Sequence, residues 1–416
     1  MFESHVLNRI DQLPASGAGT LAVVLPGGRR LGPDAADVTL RLHSLLPLRH
    51  LASGRIGDLA NDYVEGKLDI EGPMRRVADV AAGLLAGNPA TPAHGTHLSR
   101  RRVLLSRWQH RKSADARHVR QHYDVGDDFY ALWLDPRRVY SCAYWGQRTP
   151  GIAQAQEAKL DLVCRKLMLH PGERFLDIGA GWGGLLLWAA EHYGVRGTGI
   201  TLSRNQHAHV NRLIEDKGLS GRVRMLLLDY RDLPEDEPYD KIASIGMVEH
   251  VGRAMLPTYF AKIRSLLAPG ALLLNHGITA GGTRNAQLGG GMGEFIERWI
   301  FPGGELLHIS HMIETMAEQG LEGLDIENLR PHYARTLWAW SDALEGRLDA
   351  ARALTGEQVL RAYRVYLIGS ALGFERGWIA LHQTLAARPS GQMEGTVLRG
   401  AQSVYPFRRE YIYRDA

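Results

Sequence analysis

Cysteine is almost missing from this 416-residue chain, which holds only Cys142 and Cys164. Two thiols cannot build a disulfide framework. These two also lack the paired spacing of a zinc site, so both read as reduced thiols and no metal site is expected. Long apolar runs are missing as well. No stretch approaches the roughly 20 apolar residues of a membrane-spanning helix, and the opening Met1-Phe2-Glu3-Ser4-His5 lacks the basic-then-apolar layout of a secretory signal. A cytoplasmic location is the expectation. Charge of one sign is also in short supply: 49 basic side chains face 45 acidic ones, and the net charge of +4 is too small to argue for nucleic acid. No internal repeat is visible.

What is present is an ordinary apolar share of 45%, spread over a length greater than one hydrophobic core usually serves. A main domain with a smaller companion is expected. Residues 1–95 carry short apolar runs, Leu21 to Leu25 and Val38 to Leu42. A helix-like stretch from Met74 follows and stops at Gly87-Asn88-Pro89, so this region reads as a small N-terminal domain. Residues 96–120 read as a basic linker, where Arg100, Arg101, Arg102, Arg107, Arg111, Lys112, Arg117 and Arg120 crowd together with few acids. Such a cluster is either a solvated linker or a surface for anionic lipid headgroups, toward which each basic residue contributes about 1 kcal/mol.

Residues 121–416 read as the catalytic domain. Apolar runs at Arg174 to Ile178, Val195 to Leu202, Val223 to Leu228, Lys241 to Met247 and Ala271 to Asn275 alternate with helical stretches such as Leu185 to His192. Buried strands alternating with helices predict an α/β fold, a Rossmann-like doubly wound sheet with a mostly parallel core.

The first of these strands runs into Asp177-Ile178-Gly179-Ala180-Gly181-Trp182-Gly183-Gly184. Glycines there allow a sharp turn and let a ligand approach the main chain at the carboxyl end of a strand. Dinucleotide sites share that turn but usually place an acid after the second strand, whereas this chain reads Thr201-Leu202-Ser203-Arg204-Asn205-Gln206. Gln206 is the residue left to meet ribose hydroxyls. The third strand ends in Asp229-Tyr230-Arg231-Asp232, an acid and an aromatic suited to an adenine edge and face. Asp177 before the glycines is typical of methyltransferase sheets.

Several ordered motifs resemble one family, the cyclopropane fatty acid synthases and related mycolic acid cyclopropane synthases. They are His122-Tyr123-Asp124-Val125-Gly126-Asp127-Asp128-Phe129-Tyr130, Tyr140-Ser141-Cys142-Ala143-Tyr144-Trp145, Leu176 to Gly184, Gly246-Met247-Val248-Glu249-His250-Val251-Gly252 and Trp299-Ile300-Phe301-Pro302-Gly303-Gly304. The resemblance implies a class I methyltransferase sheet with helical insertions. It implies S-adenosylmethionine contacts at Tyr140 and Ser141, at Asp177, Gly179, Gly181, Trp182 and Gly183, at Thr201, Leu202 and Gln206, and around Asp229, Tyr230 and Arg231. It also implies a bicarbonate site formed by Cys142, Glu249, His276, Ile278 and Tyr333. A homodimer is the family precedent. The mycolic acid enzymes lack a front domain, so the present chain looks like the phospholipid-modifying branch, working on unsaturated phospholipid at the inner, anionic membrane surface. One departure is Ser370, where some relatives carry a second cysteine.

The chemistry so implied makes definite demands. An alkene is a poor nucleophile, so the donor must be a strong electrophile held in line, and alignment is worth roughly 7 to 11 kcal/mol. Aromatic faces near the developing cation contribute about 2 kcal/mol or more, and Tyr123, Tyr140, Tyr144, Trp145, Trp299 and Phe301 are candidates. An acyl chain leaving the bilayer loses about 0.8 kcal/mol per methylene, so an apolar wall is needed. The insertion from Gly281 to Leu307, with Leu288, Met292, Phe295, Ile296 and Trp299, is the expected wall. Duller readings stand beside these: Glu249 as a helix cap, Cys142 as a small buried hydrophobe, Tyr333 as core packing, and His308 with His311 as packing or surface residues. Rival activities are a methyltransferase that leaves a branch on the chain or acts on an amine, and a nicotinamide-dependent oxidoreductase.

Overall fold

A computed structural model describes residues 2–85, 87–90, 126–283, 287–390 and 409–413. The basic cluster from Arg100 to Arg120 and the residues His122 to Val125, Tyr123 among them, lie outside the described residues. The chain forms two compact units. One gathers described residues of Met1–Thr96, Arg284–Pro302 and Ala334–Ile379, and the other those of His97–Thr283, Gly303–Tyr333 and Ala380–Ala416.

The first unit is built on a four-stranded sheet of order β2-β1-β3-β4, from β1 (Leu21–Val24), β2 (Arg30–Leu31), β3 (Val38–Leu42) and β4 (Leu68–Glu71). All four residues of β1 are buried, as expected of an inner strand. Two later stretches complete this unit. The helix Met292–Trp299 packs on the helix Ile56–Val64, where Gly57 N–H donates to Gly290 O at 2.8 Å and Trp299 Nε1 donates to Asn61 Oδ1 at 2.8 Å. The long helix Leu348–Glu375 sends Arg361 to Asp69 (2.8 Å) and to the carbonyl of Tyr63 (3.0 Å).

Met292, Phe295, Ile296 and Trp299 recur at helical spacing; Phe295 is buried in the first unit, while Met292, Ile296 and Trp299 are half-buried. Phe301 likewise meets Tyr366 edge-on within it, at 5.9 Å. The stretch folds with the front domain because the chain returns to that domain after leaving it, a long-range pairing that local hydropathy does not encode.

The second unit holds a seven-stranded sheet of order β10-β11-β9-β8-β5-β6-β7. Its strands are β5 (Arg174–Ile178), β6 (Arg196–Thr201), β7 (Val223–Leu227), β8 (Tyr239–Ile245), β9 (Leu267–Ala280), β10 (Glu322–Asn328) and β11 (Ile379–Ala387). The pairs from β7 through β9 are parallel, and β10 joins β11 antiparallel. Side chains alternate between two cores. Phe175 joins Leu160, Val163 and Leu186 on one side, while Leu176 and Ile178 join Tyr259, Phe260 and Met312 on the other.

Candidate active site

Strand order reverses at β5: the chain runs outward through β6 and β7 and then returns to β8 on the other flank. Open α/β sheets bind ligands at the carboxyl ends of strands where this happens. Two loops leave that point, residues 179–183 after β5 and 246–247 after β8, and they touch. A Cβ on Gly179 would sit 2.5 Å from Met247 Sδ, and the Gly179 backbone lies at φ +76°. Only glycine meets both conditions. Gly179→Ala is therefore expected to lower the melting temperature by several degrees and to weaken S-adenosylmethionine binding at least tenfold. A titration matching wild type would remove the turn from the cofactor site.

Several groups tie this turn to its neighbours. Asp177 is buried and its carboxylate accepts the backbone N–H of Leu186, tying the strand end to the helix Gly184–Tyr193, while burial pushes its pKa up to about 7. Trp182 Nε1 donates to Asp127 Oδ1 at 3.1 Å. Its ring lies 5.1 Å from Tyr130, which is 5.3 Å from Tyr140, and Trp133 closes the cluster 5.5 Å from Tyr140.

The Tyr140-Ser141-Cys142 segment is gripped from inside by the helix Ile152–Lys166. Gln156 Nε2 donates to the carbonyls of Ser141 (2.8 Å) and Val139 (3.2 Å), and Lys159 Nζ donates to Ser141 Oγ at 3.0 Å. Lys159 is 1% exposed, and burial drags its pKa down to about 8 against the pull of Asp135 and Asp177. Cys142 is wholly buried, its thiol directed to the carbonyls of Ala143 (3.2 Å) and Leu329 (3.9 Å). The same Leu329 carbonyl accepts from Tyr333 N at 3.0 Å, which brings Tyr333 and Cys142 to one anchor.

At the end of β6, Thr201 Oγ1 donates to Gln206 Oε1 at 2.7 Å. Leu202 is half-buried, and Ser203 Oγ caps the helix Arg204–Asp216. After β7, Asp229 engages Arg231 through both carboxylate oxygens (2.8 and 2.6 Å), and Tyr230 meets Tyr259 edge-on at 5.0 Å in the core. The acid and the ring expected to face adenine are thus already engaged with protein partners.

Glu249 stands on the short helix Val248–Val251 after β8. Its Oε1 accepts the backbone N–H of Ile278 at 2.6 Å, whereas its Oε2 is enclosed and has no partner among the described residues. Burial pushes its pKa up to about 7 despite that hydrogen bond. Ile278, which the resemblance places at the bicarbonate site, thus gives its backbone N–H to Glu249. Gly277 permits the approach, since a Cβ there would lie 2.3 Å from Val248 Cγ2. His276, two residues earlier on β9, is 1% exposed. Its Nδ1 faces Gln383 Nε2 at 3.2 Å, its Nε2 is enclosed without a partner among the described residues, and burial holds the ring well below the usual imidazole pKa. His308 Nδ1 caps the helix Ile309–Glu318 through Ser310 N at 3.2 Å, and His311 Nε2 lies 3.2 Å from Thr283 O.

A family model described as mycolic acid cyclopropane synthetase matches residues 110–384. The chain belongs to that family. Members of known sequence and structure agree. A probable fatty acid methyltransferase of Pseudomonas putida is 41% identical over 388 residues, 92% of this chain and 93% of that protein. The cyclopropane synthase MmaA2 from Mycobacterium tuberculosis superposes with a TM-score of 0.63 at 37% identity, covering 65% of this chain and 98% of its own. The mycolic acid cyclopropane synthase CmaA1, complexed with SAH and CTAB, gives a TM-score of 0.62 at 37% identity over 65% of this chain and 98% of its own. The sheet of this family member is therefore that of the S-adenosylmethionine-dependent methyltransferases.

Sequence reasoning missed the inner supports of the family site. Gln156, Lys159 and Lys166 lie on the buried face of their helix among Ala155, Leu160, Leu162 and Val163. Polar residues inside an apolar stripe were the available signal. Gln383 and Thr384, polar and buried within β11, carry the same signal in a strand.

Proposed function

We propose that this protein transfers a methylene unit from S-adenosylmethionine to the cis double bond of an unsaturated acyl chain in a phospholipid, forming a cyclopropane ring. The observation that carries this is the pair of enclosed, unpartnered polar atoms, Glu249 Oε2 and His276 Nε2, near the point where the strand order reverses. Buried polar atoms without partners are costly and rare, so they mark a place where a small polar species belongs. Bicarbonate fits, because it is compact and anionic and can both accept and donate.

When bound, S-adenosylmethionine supplies an electrophilic methyl group, and bicarbonate supplies a small base for the proton whose loss closes the ring. The chain's own residues do the rest. Glu249 would hold the anion by Oε2 while Ile278 N–H fixes its other oxygen. With a pKa near 7 it can carry a proton at neutral pH and share it with a second acid, as like charges that close resist joint ionisation. Burial disfavours the protonated form of His276, so its ring is a weak base and leaves the proton to the anion. Tyr333 and Cys142 close the far side through Leu329. The cluster of Tyr130, Trp133, Tyr140 and Trp182 offers ring faces beside the glycine turn.

Phospholipid is the favoured acceptor because the similarity to the P. putida protein extends over 92% of the chain, front domain included, and because the basic cluster at 100–120 suits an anionic surface. No helix among the described residues is long and apolar enough to cross a membrane, so attachment would be peripheral. A second reading, a methyl branch left on the acyl chain, is favoured by the name of that relative, a probable fatty acid methyltransferase.

The test is to incubate the purified protein with unsaturated phospholipid vesicles and labelled S-adenosylmethionine. Label is expected in an acyl chain whose protons show the upfield signals of a three-membered ring, and attachment to anionic vesicles should fall as salt rises. A branched product selects the second reading. Label on an amine, with none in lipid, rejects both.

A further inference from the structure

His276 does not act as an isolated ring. Its Nδ1 lies 3.2 Å from the amide nitrogen of Gln383, whose amide oxygen lies 2.8 Å from Lys166 Nζ, and Lys166 is in turn paired with Glu327. Gln383 and Lys166 are each 1% exposed. Glu327 also accepts from Tyr144 Oη at 3.3 Å, and Tyr144 stacks on His332 at 4.5 Å, beside Tyr333.

The chain of donors permits one arrangement. A lysine ammonium only donates, so the Gln383 atom facing Lys166 must be its oxygen, and the NH₂ group is left to face His276. That NH₂ donates to Nδ1, which must then be the unprotonated nitrogen of the ring. A neutral imidazole carries its single proton on the other nitrogen, Nε2, the atom that has no partner among the described residues.

We infer that Gln383, anchored by Lys166, is a positioning residue that fixes His276 in the Nε2–H tautomer and so presents a hydrogen-bond donor to the site shared with Glu249. This rests on the function proposed above for its role in turnover, though the tautomer itself does not depend on it. The bland alternative is that Gln383 only fills space between β9 and β11. In that case the ring would be free to hold its proton on either nitrogen.

The test reads the proton directly. Protein labelled with ¹⁵N-histidine, with the His276 signals identified by their loss in His276→Asn, is expected to show a protonated Nε2 and a bare Nδ1 from pH 6 to 9. Gln383→Glu replaces the donating NH₂ by an acceptor, so the proton should move to Nδ1, while Lys166→Met frees the amide to rotate and should give a mixture. Wild-type protein with the proton on Nδ1 or shared between the nitrogens overturns the inference, even if neither variant folds. So does a folded Gln383→Glu that keeps the wild-type tautomer. Turnover in Gln383→Glu should fall roughly 10- to 100-fold, with S-adenosylmethionine affinity retained. A tautomer that switches as stated while lipid alkylation is absent from wild type as well sustains the positioning role and rejects the proposed reaction.

Discussion

Glu249→Gln is expected to lower turnover by roughly 10²- to 10⁴-fold, the usual range when a positioned proton-handling group is removed, while S-adenosylmethionine affinity stays within a few-fold of wild type. The amide keeps an oxygen for Ile278 N–H, so the loop after β8 should hold its shape. What is lost is the ability to carry and release a proton at Oε2. Wild-type turnover in the variant would discard the assignment. A second readout needs no substrate. Burial raises the Glu249 pKa from the ordinary carboxylate range to about 7, so the folded state binds this proton more tightly than the unfolded chain does. The stability it contributes is fully present below about pH 4.5 and is lost as pH rises through about 7, in all on the order of 3 kcal/mol. Asp177, buried and also raised to about 7, declines in parallel in both proteins. In bicarbonate-free buffer the wild type should therefore lose more stability than Glu249→Gln between pH 4.5 and 7.5. Equal slopes would mean that the carboxyl is already solvated.

Gly57→Ala should be among the most damaging single-methyl changes in the first unit. A Cβ at Gly57 would lie 2.0 Å from the carbonyl carbon of Gly291 and 2.4 Å from Met292 N, and backbone cannot swing aside as a side chain can. The expected loss is about 3 kcal/mol or more, from overpacking and from breaking the Gly57 N–H bond to Gly290 O. Gly221→Ala is the control, since nothing lies within 4 Å of its Cβ position and the residue is exposed. Melting curves that place the two variants together would show that the helices Ile56–Val64 and Met292–Trp299 are not packed as described.

How much of this was legible in the sequence depended on how local the signal was. The run Arg174 to Ile178 stands in the structure with the bounds its apolar residues gave, because a buried parallel strand is a short uninterrupted apolar run. The glycine turn was equally plain. Glu249, His276 and Tyr333 came from the family resemblance, and the structure supplied the surroundings of the first two: one carboxylate oxygen held by Ile278 and the other enclosed, one imidazole nitrogen on Gln383 and the other enclosed. Strands β10 and β11 were not anticipated. In β10 exposed and half-buried residues alternate with few buried ones, and in β11 His382, Gln383 and Thr384 interrupt the apolar pattern. The grip of Lys159 on Ser141 spans 18 residues of sequence and joins a helix to a loop, a pairing that no periodicity reports.

The route of the chain carries a practical consequence. Because Arg284–Pro302 and Ala334–Ile379 fold with the front segment, a fragment starting near residue 97 would not be a trimmed catalytic core. It would keep Phe295, Trp299 and the Leu348–Glu375 helix while discarding the strands and helices that cover them, and such a fragment should aggregate when expressed. Grafting or tagging is better aimed at surface turns than at the apparent seam between front and rear, since the two units are laced through one another in sequence and neither can be cut away at a single peptide bond.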